Sequence, residues 1–226
     1  MATRPRAWIY IDGFNLYYGA VKSTPLRWLD LWALAGRLVP EYIPERIKYF
    51  TANVSSLPDD LDAPARQQVY LRALRTIPAL EIIPGRFQTK RKVMHFAPPD
   101  PSLPKREDVV YEGEAPTSLA CVWRTEEKGS DVNLGVHLVH DGHCAYYEAA
   151  VLVTNDSDLK EAVRIVVDEL GFPVGVLNPH RRYPSKELRL YASFVRPIRE
   201  KALRACQFPT ELSDVQGTFH MPPEWA

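Results

Sequence analysis

Apolar positions along the chain change their period several times, and each change marks an element. Ala7, Trp8, Ile9, Tyr10 and Ile11 form a short apolar run closed by Asp12 and Gly13, which predicts a buried first strand. Trp28, Leu31, Trp32, Ala35 and Leu38 then recur at helical spacing, with Pro40 as the stop. The stretch 46–54 alternates as a second strand. A helix is expected over 63–77, with Val69, Ala73, Leu74 and Ile77 on one face, and a third strand over 80–83. The stretch 131–139 is apolar on most sides, so its helix should be largely buried. A fourth, fully buried strand follows over 149–154 and a fifth over 173–177. Between them Leu159, Ala162, Val163, Val166, Val167 and Leu170 keep helical spacing. Asp156 or Ser157 can cap that helix, and Gly171 sits at its end. A last helix over 188–198 is broken by Pro197.

The alternation breaks over 85–125, where a basic run (86–92) meets a cluster of prolines. This stretch reads as an insertion, a hairpin extending the sheet with a mobile tip, with short strands at 109–111 and 119–123. The expected organisation is one domain over 1–206 and a polar, proline-rich tail over 207–226 lying on the surface. Strands alternating with helices imply an α/β fold with a parallel sheet flanked by helices. Ligands in such sheets bind beyond the carboxyl ends of the strands, where strand order reverses.

Composition narrows the picture less than pattern does. The chain has 226 residues with 28 basic and 28 acidic side chains, so any nucleic-acid argument must rest on local charge. Cys121, Cys144 and Cys206 form no C-x-x-C pair, and scattered cysteines fit a reducing compartment. No signal-peptide core or membrane-spanning run is visible, so a cytoplasmic protein without membrane contact is expected.

The chemistry concentrates in carboxylates at strand ends. Asp12 follows the first strand, Asp156 and Asp158 follow the fourth, and Asp131 begins the helix leading into the fourth. Each aspartate alone has a structural explanation as a turn or cap residue. Together they would repel one another unless a cation holds them. Oxygen ligands without His or Cys point to Mg²⁺ or Mn²⁺, suited to phosphoryl chemistry. A dinucleotide fold is excluded, because Asp12-Gly13-Phe14-Asn15-Leu16-Tyr17 stands where G-x-G-x-x-G is required. A P-loop is absent. A dehalogenase-type phosphatase would place D-x-D after the first strand, not the fourth, and a toprim-like domain would carry glutamate where Asp12 stands.

Three blocks, Tyr10 to Tyr17, Glu127 to Val132 and Val153 to Leu159, resemble the signature blocks of NYN domains, which are PIN-like nuclease domains. The nearest branch is the LabA-like (DUF88) group, and the resemblance runs from Trp8 to the last helix. It implies a PIN-like (Rossmann-like) sheet and a metal-dependent ribonuclease using Mg²⁺ or Mn²⁺. Asp12, Asp131, Asp156 and Asp158 would be metal ligands and catalytic groups. Asn15, Asn155 and Ser157 would support the carboxylates or substrate, and Lys128 would be a weaker phosphate contact. RNA is the implied partner, and it comes from the resemblance alone. The insertion departs from a minimal NYN core and leaves the substrate-facing surface open.

Other features divide between function and packing. Arg86, Lys90, Arg91 and Lys92 surround Phe87 and could grip a phosphate backbone while Phe87 stacks on a base. A solvated hairpin edge explains them equally well. Arg181, Arg182 and Lys186 follow the fifth strand and would give the acidic centre a basic rim. His137, His140 and His143 read as packing or surface histidines, and Tyr17, Tyr18 and the tryptophans at 28 and 32 as core. A non-catalytic RNA-binding or regulatory module is the competing function, DNA cleavage is a second alternative, and a homodimer is left open.

Overall fold

Period-two burial sorts the central strands onto two faces. The computed structural model describes residues 4–56, 60–95, 119–180 and 184–225. Along β1 (Arg6–Asp12), Ala7, Ile9 and Ile11 join one buried cluster while Tyr10 joins another on the opposite face. The same division runs through β2 (Ile43–Thr51) and β6 (Ala149–Val153). With β3 (Leu80–Pro84), β7 (Val174–Asn178) and β8 (Phe194–Pro197) they form a six-stranded sheet of order β3-β2-β1-β6-β7-β8. Every pairing in it is parallel. The fold is α/β, a PIN-like (Rossmann-like) parallel sheet between helical layers. In β6 and β7 every residue is buried, as expected for strands covered on both faces.

One cluster takes in residues of α2 (Leu31–Leu38), α3 (Ala63–Leu74) and α7 (Glu200–Ala205). The other takes in α4 (Ser130–His143), α5 (Lys160–Arg164) and α6 (Lys186–Tyr191). Strand order runs outward from the centre in both directions, so the switch point lies between β1 and β6.

Several expectations need correction. The insertion forms β4 (Arg86–His95) and β5 (Leu119–Lys128), which pair only with each other in a separate antiparallel sheet. The hairpin therefore does not extend the central sheet. The strand expected at 109–111 and the hairpin tip lie outside the described residues. The helix expected over 131–139 runs to His143 and buries Ser130, Leu134, Leu138, Asp141 and Gly142, leaving Val132 and Val136 exposed. A straight helix can turn only one stripe inward, however many apolar residues it carries. The single helix expected after the fourth strand is a 3₁₀ turn (Ser157–Leu159), α5, and a π-helical turn (Ile165–Glu169). The stretch 188–198 holds the end of α6 and then β8, because Ser193 closes onto the sheet through its N–H to Val174 O at 2.8 Å.

A short helix, α1 (Gly13–Leu16), continuing as a π-helical turn (Tyr17–Val21), follows β1 and was not read from sequence. Tyr18 projects outward, 60% exposed, whereas Trp28 is buried and Trp32 partly buried. The C-terminal segment is a hairpin of β9 (Glu211–Asp214) and β10 (Gly217–His220). It is anchored, because Phe208, Phe219 and Trp225 pack around Trp28 in the core. Among the described residues, no helix is long and apolar enough to cross a membrane.

Candidate active site

The carboxyl edge of the sheet at the β1/β6 switch point gathers the predicted aspartates. Asp12 ends β1 at 4% exposure and caps α1, accepting a hydrogen bond from Asn15 N–H at 2.9 Å. Gly13 is required next to it, since a Cβ there would sit 2.7 Å from both Phe50 O and the Tyr49 hydroxyl. Thr154, immediately after β6, donates its hydroxyl to Asp12 at 3.2 Å and accepts Asp156 N–H at 3.1 Å. Asp156 caps the 3₁₀ turn by accepting Asp158 N–H at 3.0 Å. Asp131 stands in the first turn of α4, where Gly129, at φ +100°, swings the chain out of β5. Each carboxylate sits at the start of a helical turn, where backbone N–H groups favour negative charge.

Burial pushes Asp12 up to about 7, with the charges of Asp131 and Asp156 adding to it. The groups that oppose that rise, Asn15 N–H and the Thr154 hydroxyl, are neutral donors. Asp131 is raised to about 6, first by burial and then by Asp156, Glu127 and Asp158. Asp12 and Asp131 therefore feel carboxylates from separated stretches of chain. The buried hydroxyl of Ser130, beside Asp131, is left without a hydrogen-bond partner.

Asn15 ties the edge together. Its side-chain oxygen accepts Asn155 N–H at 2.9 Å and lies 3.1 Å from His180 Nε2. Asn155 in turn accepts Ser185 N–H at 2.7 Å. Ser157 opens the 3₁₀ turn, and Lys128 is held by Glu126 at 2.8 Å. Arg86, Lys90, Arg91 and Lys92 lie along β4, and Lys186 is exposed at the start of α6. Arg181 and Arg182 lie outside the described residues. Thr154, His180 and Glu127 were missed. Thr154 and His180 follow β6 and β7, so the strand-end rule that found Asp12 would have reached both.

The donor set suits a hard cation, being all oxygen with a buried carboxylate that only neutral groups offset. Among the described residues, no three His, Cys, Asp or Glu side chains stand close enough to share one ion.

A cleft of about 290 Å³ opens beside Gly13. Its walls include Tyr17, Tyr49, Tyr70 and Trp225, with Arg27 and Arg66 among its cations.

No family model matches the chain. The crystal structure of a protein of unknown function, VPA0982 from Vibrio parahaemolyticus RIMD 2210633, has a TM-score of 0.51 and 16% identity, covering 88% of this chain and 98% of that one. It supports the fold alone. The 6-hydroxy-3-succinoylpyridine 3-monooxygenase HspA of Pseudomonas putida (strain DSM 28022 / S16) is 32% identical over 245 residues, covering 97% of this chain and 75% of the relative. At that identity and coverage, the chain belongs to the family of the 6-hydroxy-3-succinoylpyridine 3-monooxygenase HspA.

Proposed function

We propose that this chain is a cytoplasmic, metal-dependent nuclease of the NYN, PIN-like type, hydrolysing RNA phosphodiester bonds at Asp12, Asp131, Asp156 and Asp158. The observation that carries the reading is a buried carboxylate at the switch point, raised first by burial and then by neighbouring carboxylates, with only neutral donors opposing the rise. Such an arrangement is costly without a cation. Asp12 and Asp131, with Asp156 and Asp158, would hold Mg²⁺ or Mn²⁺ directly or through water. When bound, the ion orients the phosphodiester, acidifies a water and neutralises the leaving oxygen. The chain's own contribution is positional. Asn15 joins the first strand end to Asn155 and His180, and Thr154 steadies Asp12. The choice of RNA over DNA rests on the NYN resemblance.

The test is cleavage of single-stranded RNA with Mg²⁺ or Mn²⁺ by wild type and Asp12→Asn. Wild type should cleave, and the variant should lose on the order of 100-fold, since even outer-shell partners of a metal cost 10–100-fold when removed. Equal rates would place the activity elsewhere, and binding without cleavage would make the chain a non-catalytic module.

A second reading is favoured by the aromatic cleft together with the relative's name. In it, a hydroxypyridine carrying a carboxylate lies between Tyr17 and Trp225 with its anion toward Arg27 or Arg66. That reading leaves the four aspartates without a role, so we rank it second. Oxygen uptake that depends on both 6-hydroxy-3-succinoylpyridine and an added two-electron donor, a reduced nicotinamide, would reverse the order.

A further inference from the structure

The β4–β5 hairpin has two chemically different faces. Residues directly opposite in an antiparallel pair share a face. One face therefore carries Arg86, Lys90, Lys92, Arg124 and Lys128. Among its described residues these five cations share one carboxylate, Glu126, which pairs with Arg124 at 2.6 Å and Lys128 at 2.8 Å and lies 3.9 Å from Lys92. The chain as a whole is neutral, so the charge is concentrated here.

The other face carries Phe87, Thr89 and Arg91 opposite Glu127, Thr125 and Trp123. Trp123 is 68% exposed, with the Arg91 guanidinium 4.9 Å from its ring centre. Four residues along the strand, about 13 Å at 3.3 Å per residue, Phe87 meets Phe14 edge-on at 5.4 Å between ring centres. Phe14 stacks on Tyr18 at 6.4 Å, and Lys22 Nζ lies 4.8 Å from the Tyr18 ring centre. This row of rings and cations passes the second residue after Asp12. At its inner end Glu127, paired across from Phe87, acts on Asp131.

Surface lysines and arginines alone would be explained as protection of an exposed strand pair. They do not explain an exposed tryptophan held under a guanidinium, or an exposed tyrosine held under an ammonium, in line with the acidic centre. We infer that the row Trp123–Arg91–Phe87–Phe14–Tyr18–Lys22, backed by the cationic face of the hairpin, binds single-stranded nucleic acid and leads it to the acidic edge. Bases stack on the rings without sequence preference, and the cations meet phosphates. The inference deepens the nuclease reading and rests on it for direction, but the surface can be tested alone.

The test is fluorescence anisotropy with a labelled oligouridylate in EDTA, so that binding is read without cleavage. Wild type should bind, and Trp123→Ala and Tyr18→Ala should each weaken binding about 5-fold or more, the low end for loss of one stacked base. Lys90→Glu with Lys92→Glu should weaken it further and flatten its salt dependence. Lys201→Glu on α7 should leave it unchanged, and circular dichroism checks that each variant is folded. Oligothymidylate should bind within a few-fold of oligouridylate, and duplex much more weakly. Wild-type affinity in Trp123→Ala, or preference for duplex, would overturn the inference. So would a concentration-dependent dimer that Trp123→Ala dissociates, because the face would then belong to a second copy. Trp123-dependent binding without metal-dependent cleavage would keep the surface and remove the nuclease reading. Cleavage with binding indifferent to Trp123 would do the reverse.

Discussion

Helix α4 carries two aspartates with opposite fates. Asp141, 2% exposed, accepts the Tyr10 hydroxyl at 2.8 Å and Lys48 Nζ at 2.5 Å. The Lys48 ammonium also lies 3.0 Å from His137 Nδ1 and 5.2 Å from the Trp8 ring centre. Asp131, ten residues earlier, has carboxylates for neighbours, and so has Asp12. One buried carboxylate is neutralised by Lys48 of β2, while the buried Asp12 is offset only by neutral donors. The cation site proposed above rests on this contrast between a buried carboxylate that has a lysine and one that has none.

The largest expected effect comes from breaking the compensated site. Lys48→Ala should cost about 3–5 kcal/mol, because the Asp141 charge is left buried without a counter-ion. Urea unfolding measures it, and pairing Lys48→Met with Asp141→Leu should recover most of the loss. If the single variant is near neutral, Asp141 is not held by the lysine and the contrast fails.

Next comes the uncompensated site. Asp12 has its folded pKa raised from 3.8 to about 7, so the fold favours its protonated form. Stability from this residue is intact below the unfolded value and is lost as pH climbs toward the folded value. Asp12→Asn should therefore stabilise the protein at pH 8 by roughly 2 kcal/mol, short of the full linkage of about 1.36 kcal/mol per unit because two accepted hydrogen bonds are weakened. At pH 4 the gain should nearly vanish. A gain that is the same at both values would trace to packing.

Adding the cation should close the gap. At an Mg²⁺ concentration about ten times its Kd, wild type should gain about 1.4 kcal/mol at pH 8. That corresponds to a rise of roughly 3–6 °C in Tm for a chain of this size. Asp12→Asn should gain less than half as much. Equal shifts in the two proteins would locate the ion elsewhere.

The smallest effect belongs to Asp131→Asn. Its carboxyl is only half-buried, so after solvent screening the gain at pH 8 should stay below about 1 kcal/mol. A melting curve with and without Mg²⁺ reads it.

The aspartates were legible because each lies within one or two residues of a strand or helix end, and those ends follow local patterns. Thr154 belonged to the predicted fourth strand and His180 lay just past the fifth, yet neither carries the charge that drew attention to Asp12. The buried ion pair was not legible at all. Lys48 and Asp141 are 93 residues apart, and only the packing of α4 over β2 joins them. The strand β8 was hidden because Phe194 and Val195 fit the end of a helical pattern, and the C-terminal hairpin was hidden because its buried aromatics are sparse among polar neighbours.

The amino-acid sequence by itself determined which segments become strands and helices over most of the sheet, and that carboxylates stand at two strand ends and one helix start. Those are local properties, set by side-chain period and by turn and cap chemistry within a few residues. Only the tertiary structure decided the order β3-β2-β1-β6-β7-β8, and with it the meeting of Asp12 and Thr154 across the switch point. It also decided that Asp141 receives a lysine and that the hairpin stands apart from the central sheet. Strand order and charge pairing depend on contacts between distant segments, and no local pattern along the chain encodes them.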